Sequence, residues 1–330
     1  MSYRFKEKES VPDGIRRIVR EEIEDATKQL SKANGAKRGE AVHEARKSIK
    51  KIRAVVRLIE PELGRTYRRE NQRLGETGRR LSEIRDAEAI IEVFEGQVEK
   101  YRSQLKPDAA RAIRRGLLKN KQETETRVKV DAVVRQAVSA LRAVGRGAAA
   151  WPLKTDGFDA IAPGFKKRFR RGQDAMRVAG KQPAPETFHE WRKRVKDHWY
   201  HVRLLESLWT EVLQARESSL KELETWLGDD HNLFVLCGKL QDDPERYGGE
   251  DNVQVFTALM QEYSKELREK ALSLGERIYE QKPKLLSREM SRLWAVWQDQ
   301  PPSLEDDEKE QRAQKKRPAQ VIARRKQAVA

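Results

Sequence analysis

Cysteine is almost missing from this sequence: Cys237 is the only one in 330 residues. A lone cysteine excludes an intramolecular disulfide and any cysteine-based metal cluster. It sits in the apolar run Leu233-Phe234-Val235-Leu236-Cys237 and reads as a buried, inert thiol. No apolar stretch reaches the roughly 20 residues that a membrane-spanning helix requires. The opening residues Met1-Ser2-Tyr3-Arg4-Phe5-Lys6 lack the apolar core of a signal peptide. A cytoplasmic location is the simplest expectation.

What the chain has in excess is positive charge. It carries 69 Lys and Arg against 53 Asp and Glu, a formal net charge of +16. Such a balance points to a polyanionic partner: nucleic acid, polyphosphate or an anionic surface. Charge alone does not choose among them. Segments rich in Ala, Glu, Lys, Leu and Arg at helical spacing favour an all-α architecture, and the length suffices for one large or two medium domains.

Two stretches are nearly the same. Val42-His43-Glu44-Ala45-Arg46-Lys47-Ser48-Ile49-Lys50 is matched by Phe188-His189-Glu190-Trp191-Arg192-Lys193-Arg194-Val195-Lys196. The offset is 146 (189 − 43), and it persists through Val56-Arg57-Leu58 against Val202-Arg203-Leu204. A constant offset over this length marks an internal duplication. Both copies read as long helices. On a helical wheel Val42, Ala45, Ile49, Ile52, Val56 and Ile59 form an apolar stripe. His43, Arg46, Lys47, Lys50, Arg53 and Arg57 form a second stripe roughly opposite, free of carboxylates. The second copy repeats it with His189, Arg192, Lys193, Lys196 and Arg203. A solvated helix face usually mixes signs, because like charges at i,i+4 oppose the helix. A one-signed ladder therefore calls for an anion.

The duplicated H-x-x-R-K pattern opening a basic helix resembles the CHAD family (conserved histidine α-helical domain). Leu81-Ser82-Glu83-Ile84-Arg85-Asp86 is similar to that family's L-G-x-x-R-D segment, and Leu227-Gly228-Asp229-Asp230-His231-Asn232 follows it at the same offset of 146 (227 − 81). The resemblance covers roughly residues 5 to 300. It implies an all-α fold of two four-helix-bundle halves related by a pseudo-twofold, with a basic central groove that binds inorganic polyphosphate. The expected halves are 1–148 and 149–302, followed by a charged, disordered tail at 303–330. A non-enzymatic polyphosphate binder that associates with polyphosphate granules is the expected function. Besides the two ladders, Arg16, Arg17 and Arg20 of the first helix and Lys166, Lys167 and Arg170 of its counterpart are expected to add to the site.

Other chemistries have weaker footholds. Nonspecific nucleic-acid binding shares the electrostatic term, and weak binding in vitro is expected, yet no helix-turn-helix, zinc-finger or RNP signature is present. Trp191, Trp199, Trp209, Trp226, Trp294 and Trp297 fall mostly on apolar faces, which suits core packing better than base stacking. His43 with Lys47 resembles a histidine phosphotransfer site, but a doubled Arg/Lys ladder fits a polymer better than one phosphoryl group. His198 and His201 at i,i+3 spacing form no H-E-x-x-H motif, so no metal, cofactor or catalytic residue is expected. Glu7-Lys8-Glu9 resembles only faintly the E-x-E-x-K signature of triphosphate tunnel metalloenzymes.

Several local expectations follow. Separate helices are predicted for Tyr67 to Leu81 and around Ile90 to Phe94, and again for Glu211 to Trp226 and His231 to Leu240. Residues 107 to 141 suggest a hairpin arm. Thr187 is placed as the N-cap of the second His helix, with Glu190 completing a capping box. The halves should be unequal: Arg53 is replaced by Trp199, Lys51 by Asp197, and Arg85-Asp86 by His231-Asn232. The first half is then expected to contribute more charge along its His helix.

Overall fold

Amphipathic helices account for the whole architecture. The computed structural model describes residues 3–33, 38–127 and 129–299. The expected tail and residues 34–37 lie outside the described residues. In chain order the helices are α1 (Val11–Leu30), α2 (Arg38–Leu58), α3 (Glu60–Leu63), α4 (Arg65–Lys100), α5 (Pro107–Arg127), α6 (Val130–Ala148), α7 (Ala162–Lys181), α8 (Pro185–Leu204), α9 (Thr210–Gln241), α10 (Glu250–Ile278) and α11 (Pro283–Asp299). Helix α1 begins in a cap in which the Asp13 N–H donates to Ser10 Oγ at 3.2 Å, with Pro12 in the first turn. Helix α2 buries its predicted apolar stripe, and α8 buries an apolar face of its own. Val42, Ala45, Ile49, Ile52, Val56 and Ile59 are all buried, as are Phe188, Trp191, Val195 and Val202.

Packing of α1, α2, α4 and α6 around one another makes a first bundle. A second forms from α7, α8, α9 and α10, with α11 laid on α7. The bundles meet where α2 touches α7 and α8 and where α4 touches α9. Gly164 makes the first of these contacts close. A Cβ there would overlap the Leu58 carbonyl, so only glycine lets the start of α7 lie on the end of α2. Two ion pairs also cross this seam. Arg57 of α2 pairs with buried Asp197 of α8, and buried Arg168 of α7 pairs with Glu60.

The apolar interior does not divide by bundle. One core runs through both bundles and includes Ile15, Ile49, Leu81, Leu141, Phe165, Trp191, Leu220 and Trp294. A second lies at the far ends of α4 and α9, where Ile91, Phe94, Ile113 and Leu117 pack with Leu236, Tyr247, Phe256 and Met260. The 107–141 segment is thus no free arm: α5 and α6 both lie against α4.

Two other expectations are corrected. Helices α4 and α9 each run unbroken through positions where a break was expected. Gly75, Gly78 and Gly96 sit inside α4, where glycine weakens a helix by about 1 kcal/mol without ending it. No proline interrupts either span. Thr187 is not the N-cap of α8; Ala184 is. Thr187 lies three residues further on, and its Oγ accepts the Ala184 N–H at 3.1 Å while donating to carbonyls of Ala184 and Gln182. Glu190 instead pairs with Lys193 and Arg194.

Candidate basic site between the His helices

Helices α2 and α8 lie against one another with their basic stripes turned toward α4 and α9. Arg46 and Lys50 from α2 meet Arg192 and Lys196 from α8. Their mutual influence is evident in their protonation. Burial pushes Lys50 down to about 7, assisted by Lys196, Arg46 and Arg192, with only Glu224 opposing. Lys196 is lowered for the same reasons, burial first and then Arg192. Arg46 is lowered by burial, with Arg85 and Arg192 adding to it. Four half-buried cations are therefore gathered close enough to depress one another, an arrangement that costs free energy unless anions meet them.

Two carboxylates partly relieve it. Asp86 of α4 stands 3.7 Å from Arg46. Glu224 of α9 accepts from Lys196 at 2.7 Å and Arg192 at 3.3 Å, and from Lys221 at 3.1 Å. Burial alone would raise the Glu224 carboxyl, but Lys196, Arg192 and Lys221 hold it down to about 2. Sequence reasoning missed Glu224. The signal was available, since the offset of 146 places it opposite Gly78.

The two named histidines sit at one end of this cluster. The Arg85 guanidinium donates to His43 Nδ1 at 3.2 Å, which leaves Nε2–H as the ring's own donor. Burial, then Arg85 and Lys47, keep His43 neutral down to about 4. At the offset of 146, His231 corresponds to Arg85 in the sequence. The donor is lost, His189 Nδ1 is buried without a hydrogen-bond partner among the described residues, and the two rings stack at 3.8 Å. Burial is the main reason that both His189 and His231 are lowered to about 4.

Other expected residues are placed as follows. Lys47 and Lys193 are exposed on the rim and pair with Glu44 at 2.7 Å and Glu190 at 3.3 Å, so the ladders are not free of carboxylates. Arg53 extends over Gly75 and donates to Asn71 at 3.4 Å, and burial followed by Arg57 brings it to about 10. Arg57 is committed to Asp197. Arg203 pairs with Glu217 at 3.3 Å and lies over the Trp199 ring. Arg17 is buried and bound to Glu9, Glu21 and the Arg4 carbonyl. Arg16 reaches Asp13 and the Trp151 carbonyl. This end of α1 thus ties down the N-terminal segment and the segment around Trp151 rather than joining the four-cation cluster. Arg20, Lys166 and Arg170 are exposed, and Lys167 pairs with Glu60 at 3.0 Å.

His198 and His201 are fully buried core residues. His201 Nε2 donates to the Ala54 carbonyl at 2.9 Å, while His198 packs among Phe165, Phe169 and Tyr279. Among the described residues no three His, Cys, Asp or Glu side chains are grouped to hold a metal, and no helix is long and apolar enough to cross a membrane. Trp191, Trp294 and Trp297 are buried, whereas Trp209 is half exposed. Burial drives the Cys237 thiol up to about 12.

An all-helical protein with two His-headed basic helices set face to face is the class that this geometry defines. The CHAD domain model matches residues 19–241, about two thirds of the chain, and the protein belongs to the CHAD family. A search of curated proteins returns no match.

Proposed function

We propose that this protein binds inorganic polyphosphate without transforming it, using a basic groove whose two walls are the His helices of the halves 1–148 and 149–302. The observation that carries this reading is the half-buried cluster of Arg46, Lys50, Arg192 and Lys196, whose mutual repulsion a multivalent anion would offset. Arg supplies flat, forked donors for bidentate contact and Lys a mobile point charge, so the pair suits successive phosphates of a chain. His43 adds a neutral donor at the groove's end, and Arg53 extends the first wall. Binding of this kind would bring the protein, and anything attached to it, to polyphosphate granules. The burial of three tryptophans in the core speaks against a base-stacking platform for nucleic acid.

A competition experiment tests the proposal. Labelled long-chain polyphosphate bound to the protein is challenged with single-stranded DNA, RNA and heparin at two salt concentrations. The same titration is run with Lys47, Lys50, Lys193 and Lys196 all changed to Ala. Polyphosphate should outcompete the nucleic acids at matched charge, lose affinity steeply with salt, and lose its preference in the variant while helicity is retained. Preferential binding of DNA or RNA, or unchanged binding by the variant, would overturn the reading.

A further inference from the structure

The two walls of the basic cluster are not equally available. Behind α2, helix α4 presents Gly75, Gly78 and Ser82; at the offset of 146, helix α9 presents Lys221, Glu224 and Gly228 behind α8. A Cβ built at Gly78 would meet only Ile49, at 3.6 Å, so this position is open. Its counterpart Glu224 is 5% exposed and fills the equivalent space with a carboxylate. Oε1 takes both inward-facing cations of α8, Lys196 at 2.7 Å and Arg192 at 3.3 Å, and Oε2 takes Lys221 at 3.1 Å. Lys50, which corresponds to Lys196, forms no ion pair among the described residues, and Arg46 has only Asp86 at 3.7 Å. Both inward cations of the second wall thus share one buried carboxylate, while in the first wall Lys50 has no ion-pair partner among the described residues and Arg46 only a long one.

We infer that Glu224 is a specificity-determining residue: its carboxylate occupies the place of a ligand oxygen on Arg192 and Lys196, and an anion must displace it to engage the second wall. This rests on the reading of the groove as a polyphosphate site. A short anion satisfies Arg46 and Lys50 alone. Crossing to the second wall requires a ligand that offers several oxygens in quick succession, because each cation freed from Glu224 must be met at once. Adjacent phosphates of a polyphosphate chain share bridging oxygens and meet that demand, whereas nucleic-acid phosphates are separated by sugars. Glu224 therefore acts against sparse or short anions more than against long polyphosphate.

The test compares wild type with Glu224→Gln, Gly78→Glu and Glu99→Gln, the last an exposed charge control. Each is titrated with long-chain polyphosphate, tripolyphosphate and single-stranded DNA at two salt concentrations, and its melting is recorded. Glu224→Gln should tighten polyphosphate binding about tenfold, the scale of one charge-assisted hydrogen bond, and steepen its salt dependence. Its gain should be larger for tripolyphosphate and DNA, narrowing the preference. Gly78→Glu should weaken binding about as much, and Glu99→Gln should change it less than about twofold. Weaker or unchanged binding by Glu224→Gln overturns the inference, as does an equal gain from Glu99→Gln or an equal gain for all three ligands. Wild-type protein that does not bind polyphosphate overturns the proposed function itself. Binding that depends on the four lysines but ignores Glu224 overturns this inference alone.

Discussion

At the scale of single residues, what surrounds each cation of the cluster sets its charge more than cation number does. Lys50 shows this best. With burial and three cationic neighbours bringing it to about 7, it is partly neutral at physiological pH. An arriving polyanion favours the charged ammonium, so binding should take up protons, and affinity should fall as pH rises above 7. Calorimetry at about pH 8 in two buffers of different ionisation enthalpy would measure that uptake. Lys50→Arg keeps the charge but does not deprotonate, and should remove most of the effect. Uptake that persists in this variant would assign the proton elsewhere. The four cations that the packing of α2 and α8 brings together were legible in the sequence, because a one-signed stripe repeated at a fixed offset singled out Arg46, Lys50, Arg192 and Lys196. Glu224 was not, since it belongs to a different helix and only the packing of α9 on α8 brings it to them. Arg17 misled for the related reason that Glu9 and the Arg4 carbonyl, both outside its helix, claim its guanidinium.

At the scale of helices, the contact of α7 on α2 is the tightest constraint. Gly164→Ala would force a methyl group into the Leu58 carbonyl, and backbone on both sides leaves little room to yield. The variant should lose about 3 kcal/mol, the upper range for overpacking. Gly96→Ala is its matched control: nothing lies within 4 Å of the added carbon, and the helix propensity of alanine should raise stability by about 0.5–1 kcal/mol. Urea midpoints of the two variants should move in opposite directions. Helix existence and buried faces were readable from periodicity, as Ile49, Ile52 and Val56 on α2 illustrate. Helix length was not. The segment around Arg85-Asp86 looked like a junction because it is polar between apolar runs, yet continuous backbone hydrogen bonding through α4 needs no apolar residues there. Capping was misread at Thr187 because a threonine side chain serves equally well from the third helical position, reaching back to the Ala184 N–H.

For the molecule as a whole, all five histidines are held neutral. His43, His189, His201 and His231 are lowered to about 4 and His198 well below its ordinary value, burial leading in each case. Their folded values lie below the unfolded value of about 6.5. The unfolded chain therefore binds more protons in the acid range, and the stability present above about pH 6.5 is lost as pH falls toward 4. For fully buried His201 the contribution is on the order of 3 kcal/mol. Urea unfolding at about pH 7.5 and about pH 5 should show the lower midpoint at the lower pH. A midpoint that does not move would mean that these rings are already protonated in the folded state.

The core at the far ends of α4 and α9 bears on how the chain is made. Phe94 packs on Phe256, about 160 residues later in the sequence. At a synthesis rate of about 5–20 residues per second, a ribosome needs roughly 8–30 s to deliver the second ring after the first. For most of that interval Ile91 and Phe94 have no native cover from α9, and for all of it none from Phe256 of α10. The apolar end of α4 and α5 is thus completed only late in synthesis, when α10 has been made.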